Sequence, residues 1–327
     1  MAVAANVNRV NSSVLVIGAG VQGLTTGVVM AEQGHEVLIR TAGRLHETTS
    51  AAAGAMWGPA MLRPSDRVLY WVTMSHAEFM TLAREDSGVH LSAGTMAARF
   101  DLGDALPPET RLLSDLRACT PDELPTGFAS GYRATVPLID MPRYLDYLLA
   151  RFRSAGGRIV LSAVSSLTDA VDEAQMVINC SGVGARELVG DPSVHPVRGQ
   201  HAVVRNPGID EYFIELAGGD EFVGMMPHGD WLLLGGVAAD QDWNLSTSSS
   251  DTEGILRRCA EIEPRLKGVE VLEERVGLRP GRDEVRLDVE EFGGARVVHN
   301  YGHGGCGVAL SWGCAFEAAD LAAGVEL

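Results

Sequence analysis

Near its N-terminus the chain reads VLVIGAGVQGL, residues 14–24. Four apolar residues, Val14–Ile17, form a strand pattern, and a helical spacing of apolar residues begins at Leu24. Between the two lies the pattern G-x-G-x-x-G, which binds a dinucleotide when it joins a strand to a helix. The phosphates of such a ligand bind the free N–H groups and the positive end of the helix. We therefore predict a nucleotide site at Gly18, Ala19, Gly20, Val21, Gln22 and Gly23.

A second apolar run, Val37–Ile39, follows the glycine segment after a turn at Gly34. The whole stretch therefore reads as a strand–helix–strand unit of about 28 residues. In dinucleotide-binding folds the second strand usually ends at an acidic residue that binds the ribose hydroxyls. This chain has Arg40 and Thr41 there instead. That difference weakens the case for NAD and leaves FAD and NADP open.

Short apolar runs and helical patterns alternate along the rest of the chain. Between Gln200 and Gly236 the pattern changes to short alternating runs separated by Gly, Pro and Asp, which is typical of antiparallel sheet. We therefore expect nucleotide-binding α/β structure at both ends of the chain and an antiparallel insertion between them. The other predicted elements are helices over 66–84, 142–155, 252–266 and 308–323, strands over 158–161, 176–179 and 296–300, and a loop over Thr48–Pro59.

The composition is that of a folded, strongly acidic protein. The 327 residues include 26 Lys+Arg and 43 Asp+Glu, for a formal charge of −17, and 46% of the residues are hydrophobic. Such a charge argues against nucleic acids, anionic membranes and polyanionic substrates, since each would be repelled at long range. The length suggests two lobes.

Neither a membrane span nor a metal site is expected. No run of about 18 apolar residues is present, and the start of the chain, MAVAANVNRVNSSV, lacks the basic and apolar regions of a signal peptide. The five cysteines show no CxxC pair, which argues against a disulfide framework and a zinc site. Since neither a membrane span nor a signal peptide is indicated, we expect a cytoplasmic protein. The cysteines are Cys119, Cys180, Cys259, Cys306 and Cys314.

A glycine-rich loop, HNYGHGGCG at His299–Gly307, joins the last predicted strand to the last helix. Four glycines in six positions allow the backbone to approach a flat ligand closely or to adopt positive φ angles. The helix that follows directs its positive end at the same place. Such an end would favour a reduced flavin, whose pyrimidine edge carries negative charge; a tight structural turn is the alternative.

Together these segments resemble the D-amino-acid oxidase family, whose motifs occur in the same order over nearly the whole chain. The last two segments are specific to that family, whereas the first is shared by many flavoproteins. The matching segments are VLVIGAGVQGL at Val14–Leu24, SAAAGAMWGP at Ser50–Pro59, VINCSGVGAREL at Val177–Leu188, VGLRPGRDEVRLD at Val276–Asp288, HNYGHGGCG at His299–Gly307 and LSWGCAFEAA at Leu310–Ala319.

The resemblance implies FAD as cofactor and an α/β fold with two domains. The FAD-binding Rossmann-like domain is expected at 1–60, 135–190 and 290–327, and so is discontinuous in sequence. An α+β substrate domain built on an antiparallel sheet is expected at 61–134 and 191–289. Besides the glycine segment, the cofactor residues implied are Thr41, Thr48, Thr49, Ala53, Gly54, Met56, Val164, Cys180, Ser181, Gly182, His303, Gly304, Val308 and Ala309.

The resemblance also assigns the reaction centre. Arg279 would bind the substrate carboxylate, since a guanidinium offers two parallel N–H donors to a carboxylate. The Gly305 carbonyl would orient the substrate amine, and His303 would be a base or bond the loop. Tyr301 would donate to the carboxylate or be structural. Arg282 and Arg286 are interpreted as structural.

One strand departs from the family pattern, because Gly224 stands where a tyrosine is usual. We expect an apolar side-chain pocket formed by Trp57, Phe222, Gly224 and Met226, with Val223 and Met225 contributing. No second Arg or Lys occurs between Asp210 and Gly236 to bind an acidic side chain. Neutral, apolar D-amino acids are therefore favoured.

The implied reaction is hydride transfer from the substrate α-carbon to FAD, reoxidation by oxygen to give hydrogen peroxide, and hydrolysis of the imino acid to a 2-oxo acid and ammonia. A neutral amine supplies the electrons, so positioning does most of the work. The partners are then a D-amino acid and oxygen, with homodimer formation left open. The alternatives are an amine oxidase acting on glycine, sarcosine or acidic D-amino acids, a redox-silent FAD-binding module and an NAD-dependent dehydrogenase.

Overall fold

A computed structural model describes residues 13–58, 63–103 and 106–325, so Pro59, where the predicted loop ends, lies outside the described residues. The predicted helices are confirmed to within a few residues. The seven helices in these ranges are α1 (Val21–Glu32), α2 (Asp66–Leu82), α3 (Met141–Ser154), α4 (Leu167–Glu173), α5 (Ala185–Leu188), α6 (Ser249–Ile262) and α7 (Gly307–Ala323).

One predicted helix is shorter than expected. The pattern predicts a helix over 252–266, but α6 ends at Ile262 and a separate 3₁₀ turn, Pro264–Leu266, follows. The reason is Pro264, which has no N–H to donate and whose ring obstructs the preceding turn of a helix.

The smaller of two sheets is mostly parallel and contains the strand of the glycine segment near its centre. Its apolar strand residues Val14–Val16 are at most 1% exposed, as expected of a sheet covered on both faces. Only the first strand of its order runs antiparallel to its neighbour. The order is β15 (Arg286–Phe292), β16 (Ala295–Tyr301), β8 (Met176–Asn179), β1 (Ser13–Ile17), β2 (Glu36–Thr41) and β7 (Arg158–Leu161).

The larger sheet is mostly antiparallel, as the alternating runs predict, and has ten strands. Two of them lie off its main path: β14 (Val271–Gly281) pairs with β9, and β5 (Ser114–Ala118) pairs with β6. The main path is β13 (Ala239–Asp240), β9 (His195–Arg205), β12 (Trp231–Val237), β11 (Glu221–His228), β10 (Tyr212–Glu215), β4 (Val89–Ala98), β6 (Ser130–Ile139) and β3 (Ala55–Met56).

The expected divisions at residues 135 and 290 both fall within strands. All of β6 belongs to the larger sheet, while all of β15 belongs to the smaller one. Strand membership therefore divides the chain after β6 and before β15. The predicted discontinuity is present, because the chain leaves the smaller sheet after β8 and returns to it with β15.

The starts of helices α1 and α7 lie side by side, and the loop after β2 contacts the larger sheet. The Gln22 amide Nε2 donates to the Gly307 carbonyl at 2.8 Å, which joins the first turns of the two helices. Thr49, in the loop after β2, donates from Oγ1 to the Leu278 carbonyl of β14 at 3.0 Å. The nucleotide-binding segment and the substrate-side strand β14 therefore border one space.

Candidate active site

The glycine segment forms a tight turn against β8, as predicted. Gly18 has φ of 103°, and a Cβ there would lie 2.5 Å from the Cys180 carbonyl oxygen. A Cβ on Gly23 would lie 1.9 Å from the Gly18 carbonyl oxygen, so only glycine allows α1 to pack this closely on the turn. The first turn of α1 has no acidic residue, and the N-cap Gly20 supplies no side chain. The Val21 N–H donates to Ser50 Oγ at 2.9 Å. The other N–H groups of the first turn and its positive end suit a diphosphate.

A cavity of about 590 Å³ extends from this turn to β14. Three groups predicted at the reaction centre line it: Arg279, Tyr301 and Gly305. Most of the predicted cofactor residues line it as well, although they come from widely separated parts of the chain. These are Gly18, Ala19, Gly20, Val21, Gln22, Thr41, Thr48, Thr49, Ala53, Gly54, Val164, Cys180, Ser181, Gly182, His303, Gly304 and Val308.

Some predicted residues do not line this cavity. Gly23 acts in packing, as described above, and Met56 and Ala309 lie in β3 and α7 beside lining residues. Trp57, expected in the side-chain pocket, is fully buried away from the cavity. Its indole N–H donates to the Val72 carbonyl of α2 at 3.0 Å, because a buried N–H requires an acceptor. The prediction of a pocket role for Trp57 is therefore corrected.

The strand β11 divides its side chains between two faces. Val223 and Met225 pack in the core on the α6 side of the sheet, so their expected place in the pocket is wrong. Successive side chains of a strand point to opposite faces, which puts Gly224 and Met226 on the other side. The Phe222 ring lies 3.7 Å from the position of a Cβ on Gly224. None of these three predicted pocket residues lines the cavity itself. The Met226 sulfur lies 3.4 Å from the position of a Cβ on Gly54, a residue that lines the cavity.

The Arg279 guanidinium lies across Gly199 of β9. A Cβ on Gly199 would be 2.5 Å from Arg279 Nη1, and that nitrogen donates to the Val237 carbonyl at 3.2 Å. No Asp or Glu among the described residues forms an ion pair with Arg279. Burial lowers the pKa of this guanidinium below its ordinary value. A buried arginine without a carboxylate partner is suited to bind an anion from outside.

Two neighbouring arginines differ from Arg279 in having carboxylate partners, as their predicted structural role requires. Arg282 Nε lies 3.1 Å from Asp191 Oδ2, and Arg286 Nε lies 3.1 Å from Asp288 Oδ1. The charge of each is therefore already balanced within the protein.

The Tyr301 hydroxyl is already hydrogen-bonded within the protein. It donates to Asp191 Oδ2 at 2.9 Å and accepts from Arg286 Nη1 at 2.8 Å. Burial, with Asp191 nearby, raises the pKa of Tyr301 to about 12, so the hydroxyl keeps its proton. Because that proton is given to Asp191, the structure corrects the prediction that Tyr301 bonds the substrate carboxylate and favours the structural alternative.

The end of β2 has the unusual Arg40 and Thr41 at the cavity wall. Arg40 Nη1 donates to Glu173 at 2.8 Å, and its Nη2 donates to the Ala163 carbonyl at 2.6 Å. Thr41 Oγ1 donates to the Gly43 carbonyl at 2.9 Å. Arg40 is thus paired within the protein, and its side chain ties β2 to the segment that carries Val164.

Two buried polar atoms at the cavity have no protein partner among the described residues. They are Nε2 of His303, a residue 2% exposed, and the side-chain Oδ1 of Asn300, which is fully buried. Buried polar groups normally have hydrogen-bond partners, so these two atoms point to a polar ligand beside the loop that begins α7. Burial lowers the pKa of His303 to about 3 and keeps the ring neutral.

His201 is a cavity residue that the sequence analysis missed. It lies on β9 two residues after Gly199, is 7% exposed and lines the cavity with Arg279. Its Nδ1 is 3.1 Å from the Ala52 carbonyl oxygen, so Nδ1 carries the proton. The available signal was a polar residue directly before the apolar run Ala202–Val204 of a predicted strand.

The sequence model of the family described as FAD dependent oxidoreductase matches residues 13–321. The chain belongs to this family. Relatives within it include a D-amino-acid oxidase of Rubrobacter xylanophilus, 45% identical over 96% of this chain and 97% of the relative. A D-amino-acid oxidase of Streptomyces coelicolor is 41% identical over 95% and 97% of the two chains. Both confirm the resemblance predicted from the motifs.

The fold also matches that of solved structures. The glycine oxidase of Geobacillus kaustophilus superposes with a TM-score of 0.81 at 22% identity, covering 97% of this chain and 96% of the other. As a member of the FAD dependent oxidoreductase family the chain uses FAD. The start of α1, which has no acidic residue in its first turn, the close-packed glycines and the two unpartnered polar atoms fit that cofactor. Among the described residues no helix is long and apolar enough to cross a membrane.

Two buried histidines, His201 and His303, and the half-buried His228 predict how stability depends on pH. Burial is the main cause that lowers the pKa of His201, His228 and His303 to about 3 each, from an ordinary value near 6.5. The unfolded chain therefore binds protons more readily than the folded chain, and stability is lost as pH falls from about 6.5 toward 3. Each histidine adds up to about 1.4 kcal/mol per pH unit to the slope of the free energy of unfolding.

The variant His228→Gln tests this slope, because His228 does not line the cavity. Urea unfolding with excess FAD, measured between pH 6.5 and 4.5, is expected to show a slope smaller by about one proton in the variant. Equal slopes in the two proteins would show that His228 does not stay neutral in the folded state.

Proposed function

We propose that the chain is an FAD-dependent oxidase of neutral, apolar D-amino acids, forming a 2-oxo acid, ammonia and hydrogen peroxide from the amino acid, oxygen and water. The observation that carries this proposal is Arg279, a buried guanidinium without a carboxylate partner in the described residues, at the end of the cavity away from the nucleotide turn. The names of the relatives support the same reaction. FAD supplies a two-electron acceptor that oxygen regenerates.

The chain's own residues bind and orient the substrate. Arg279 offers parallel N–H donors to the α-carboxylate and so fixes the α-carbon. Gly305 lies beside the Arg279 side chain, since a Cβ there would be 3.7 Å from Arg279 Cδ, and its carbonyl is the acceptor for the amine in this proposal.

The charges around Arg279 favour a neutral amine, the form that releases a hydride from the α-carbon. The only carboxylate among the described residues that line the cavity is Glu47, whose Oε2 accepts from the Arg44 amide at 3.1 Å. An ammonium group near Arg279 would meet a like charge in a desolvated site with no acid to balance it. The like charge of Arg279 and the loss of hydration both lower the pKa of a bound ammonium.

The preference for neutral side chains rests on the cations of the cavity wall: of the described arginines that line it, Arg40 and Arg279, only Arg279 has no carboxylate partner. Arg275, in the same strand as Arg279, does not line the cavity. Its guanidinium lies 5.2 Å from the centre of the Trp231 ring, and its Nη2 is 2.8 Å from Glu273, while its buried Nη1 has no partner among the described residues. Arg40 is paired with Glu173 at the nucleotide end. A carboxylate side chain would therefore lose its hydration without gaining a partner.

The test is reduction of the purified, FAD-loaded protein under anaerobic conditions. D-methionine is expected to bleach the flavin absorbance, and the aerobic reaction is expected to release hydrogen peroxide with D- but not L-amino acids. Faster turnover of sarcosine or glycine would favour the amine-oxidase alternative instead. A flavin that no D-amino acid bleaches would overturn the proposal.

A further inference from the structure

Four neighbouring strands of the larger sheet, β14, β9, β12 and β11, carry glycines on one shared face beside the cavity. In the strand register Gly224 of β11 is opposite Gly235 of β12, and Gly235 is opposite His201 of β9. On the next strand, β14, Gly277 is opposite Gly199. Residues directly opposite each other, or two apart along a strand, share a face. The side chains of His201 and Arg279 therefore lie on the same face as these four glycines. Because glycine has no side chain, both can pack flat against the sheet backbone.

The His201 ring lies on Gly235. A Cβ on Gly235 would be 2.7 Å from Cδ2 and 3.2 Å from Nε2 of His201. The same Cβ would be 3.5 Å from the ring of Phe222. The Nε2 atom also lies 3.4 Å from the position of a Cβ on Gly54, in the cavity wall. The imidazole edge and the Phe222 ring therefore meet above the glycines.

The hydrogen bond to Ala52 determines what Nε2 can do. Because Nδ1–H donates to the Ala52 carbonyl, a neutral ring presents Nε2 as an acceptor. No donor among the described residues bonds this nitrogen. Arg279 and Arg275 both lie near the ring and oppose a second proton, in addition to burial.

The direction of the substrate side chain follows from the positions of Arg279 and Gly305. The guanidinium lies on Gly199, and His201 is two residues further along β9, a distance of about 7 Å. Gly305 lies beside the Cδ end of the arginine instead. With the carboxylate on the guanidinium and the amine toward Gly305, we place the side chain toward His201, which lines the cavity, and toward Phe222 and Met226 beside it.

We propose that Nε2 of His201 is the hydrogen-bond acceptor of the side-chain subsite. Among neutral D-amino acids of equal size, the enzyme then favours a side chain with a hydroxyl or amide donor over its apolar isostere. The same lone pair disfavours the carboxylate of D-aspartate. This inference rests on the proposed function and narrows it: the substrates stay neutral, but the preferred side chain carries one hydrogen-bond donor for His201 within otherwise apolar walls.

The experiment compares isosteric substrates on the FAD-loaded enzyme. The kcat/KM values are measured for D-asparagine against D-leucine and for D-serine against D-2-aminobutyrate. In His201→Leu and His201→Asn at least one of the two ratios, D-asparagine to D-leucine or D-serine to D-2-aminobutyrate, is expected to fall by about tenfold. The reason is that the Nε2 acceptor for the donor of the polar substrate is lost. His201→Asn retains a donor for Ala52, whereas His201→Gln places an amide near the Nε2 position and is expected to restore part of the ratio.

A ratio measured within one variant cancels any loss of folded enzyme, so a purely structural role would leave it unchanged. His46→Asn, which changes an exposed histidine paired with Asp146, is the control and is expected to keep both ratios. Ratios within twofold of wild type in both His201→Leu and His201→Asn would overturn the inference. If the wild-type enzyme oxidises none of the four substrates, the proposed function itself fails.

Discussion

Replacing Arg279 with alanine is expected to lower kcat/KM for D-methionine by roughly thirtyfold to several-thousandfold. A buried, hydrogen-bonded charge pair typically loses about 2–5 kcal/mol when one partner is truncated. The effect should lie toward the upper end, because no carboxylate in the described residues pairs with Arg279 and no second cavity cation adjoins it. Steady-state peroxide release measures the change.

Two further variants separate charge from geometry. Arg279→Lys keeps the charge but loses the paired donors, so an intermediate loss is expected. Arg205→Ala removes an exposed arginine of β9 that pairs with Glu270, and full activity is expected. The flavin spectrum of each variant reports whether FAD is still bound. An Arg279→Ala enzyme with wild-type kcat/KM and bound FAD would refute the carboxylate assignment.

The second large effect is expected from Gly23→Ala, which should abolish FAD retention during purification. A Cβ at this position would lie 1.9 Å from the Gly18 carbonyl oxygen, and the obstacle is backbone rather than the end of a flexible side chain. Helix α1 must therefore move away from the turn, and its free N–H groups move with it. Binding of the diphosphate then weakens, and the thermal midpoint falls because the core around β1 opens.

The matched control is Gly254→Ala, another glycine inside a helix. Its Cβ would meet only the end of the Arg258 side chain at 3.1 Å, and it lies in α6 outside the cavity. Alanine also favours helix by about 1 kcal/mol over glycine, so stability should be kept or increased. Flavin content per polypeptide and differential scanning fluorimetry distinguish the two variants. Normal flavin content in Gly23→Ala would contradict the packing argument.

Features that depend on near neighbours in the chain could be predicted from sequence. The turn at Gly18 and Gly23 joins a strand and a helix that are adjacent in sequence, and its ligand binds backbone groups. The short strand Arg158–Leu161 was predicted with its observed bounds, because apolar runs bounded by glycine carry a local signal. Arg279 was assigned through a motif resemblance, and that position does line the cavity.

Features that depend on distant partners could not be predicted in this way. The indole N–H of Trp57 finds its acceptor in α2, and the Tyr301 hydroxyl finds Asp191, 110 positions away. From the sequence, Trp57 was predicted in the side-chain pocket and Tyr301 at the substrate carboxylate. Their hydrogen bonds, which follow from burial, determine where they point.

The pattern of glycines and apolar runs was thus sufficient for the fold class, the nucleotide turn and the family, because each reflects backbone geometry within one short segment. The arrangement of the substrate end depends on the register of three strands, β9, β12 and β11, which brings His201, Gly235 and Gly224 side by side from separate parts of the chain. Pairing between strands is long-range, and a single residue of slip would turn every side chain to the other face. For that reason only the tertiary structure could show that the His201 imidazole lies on the glycines of this sheet.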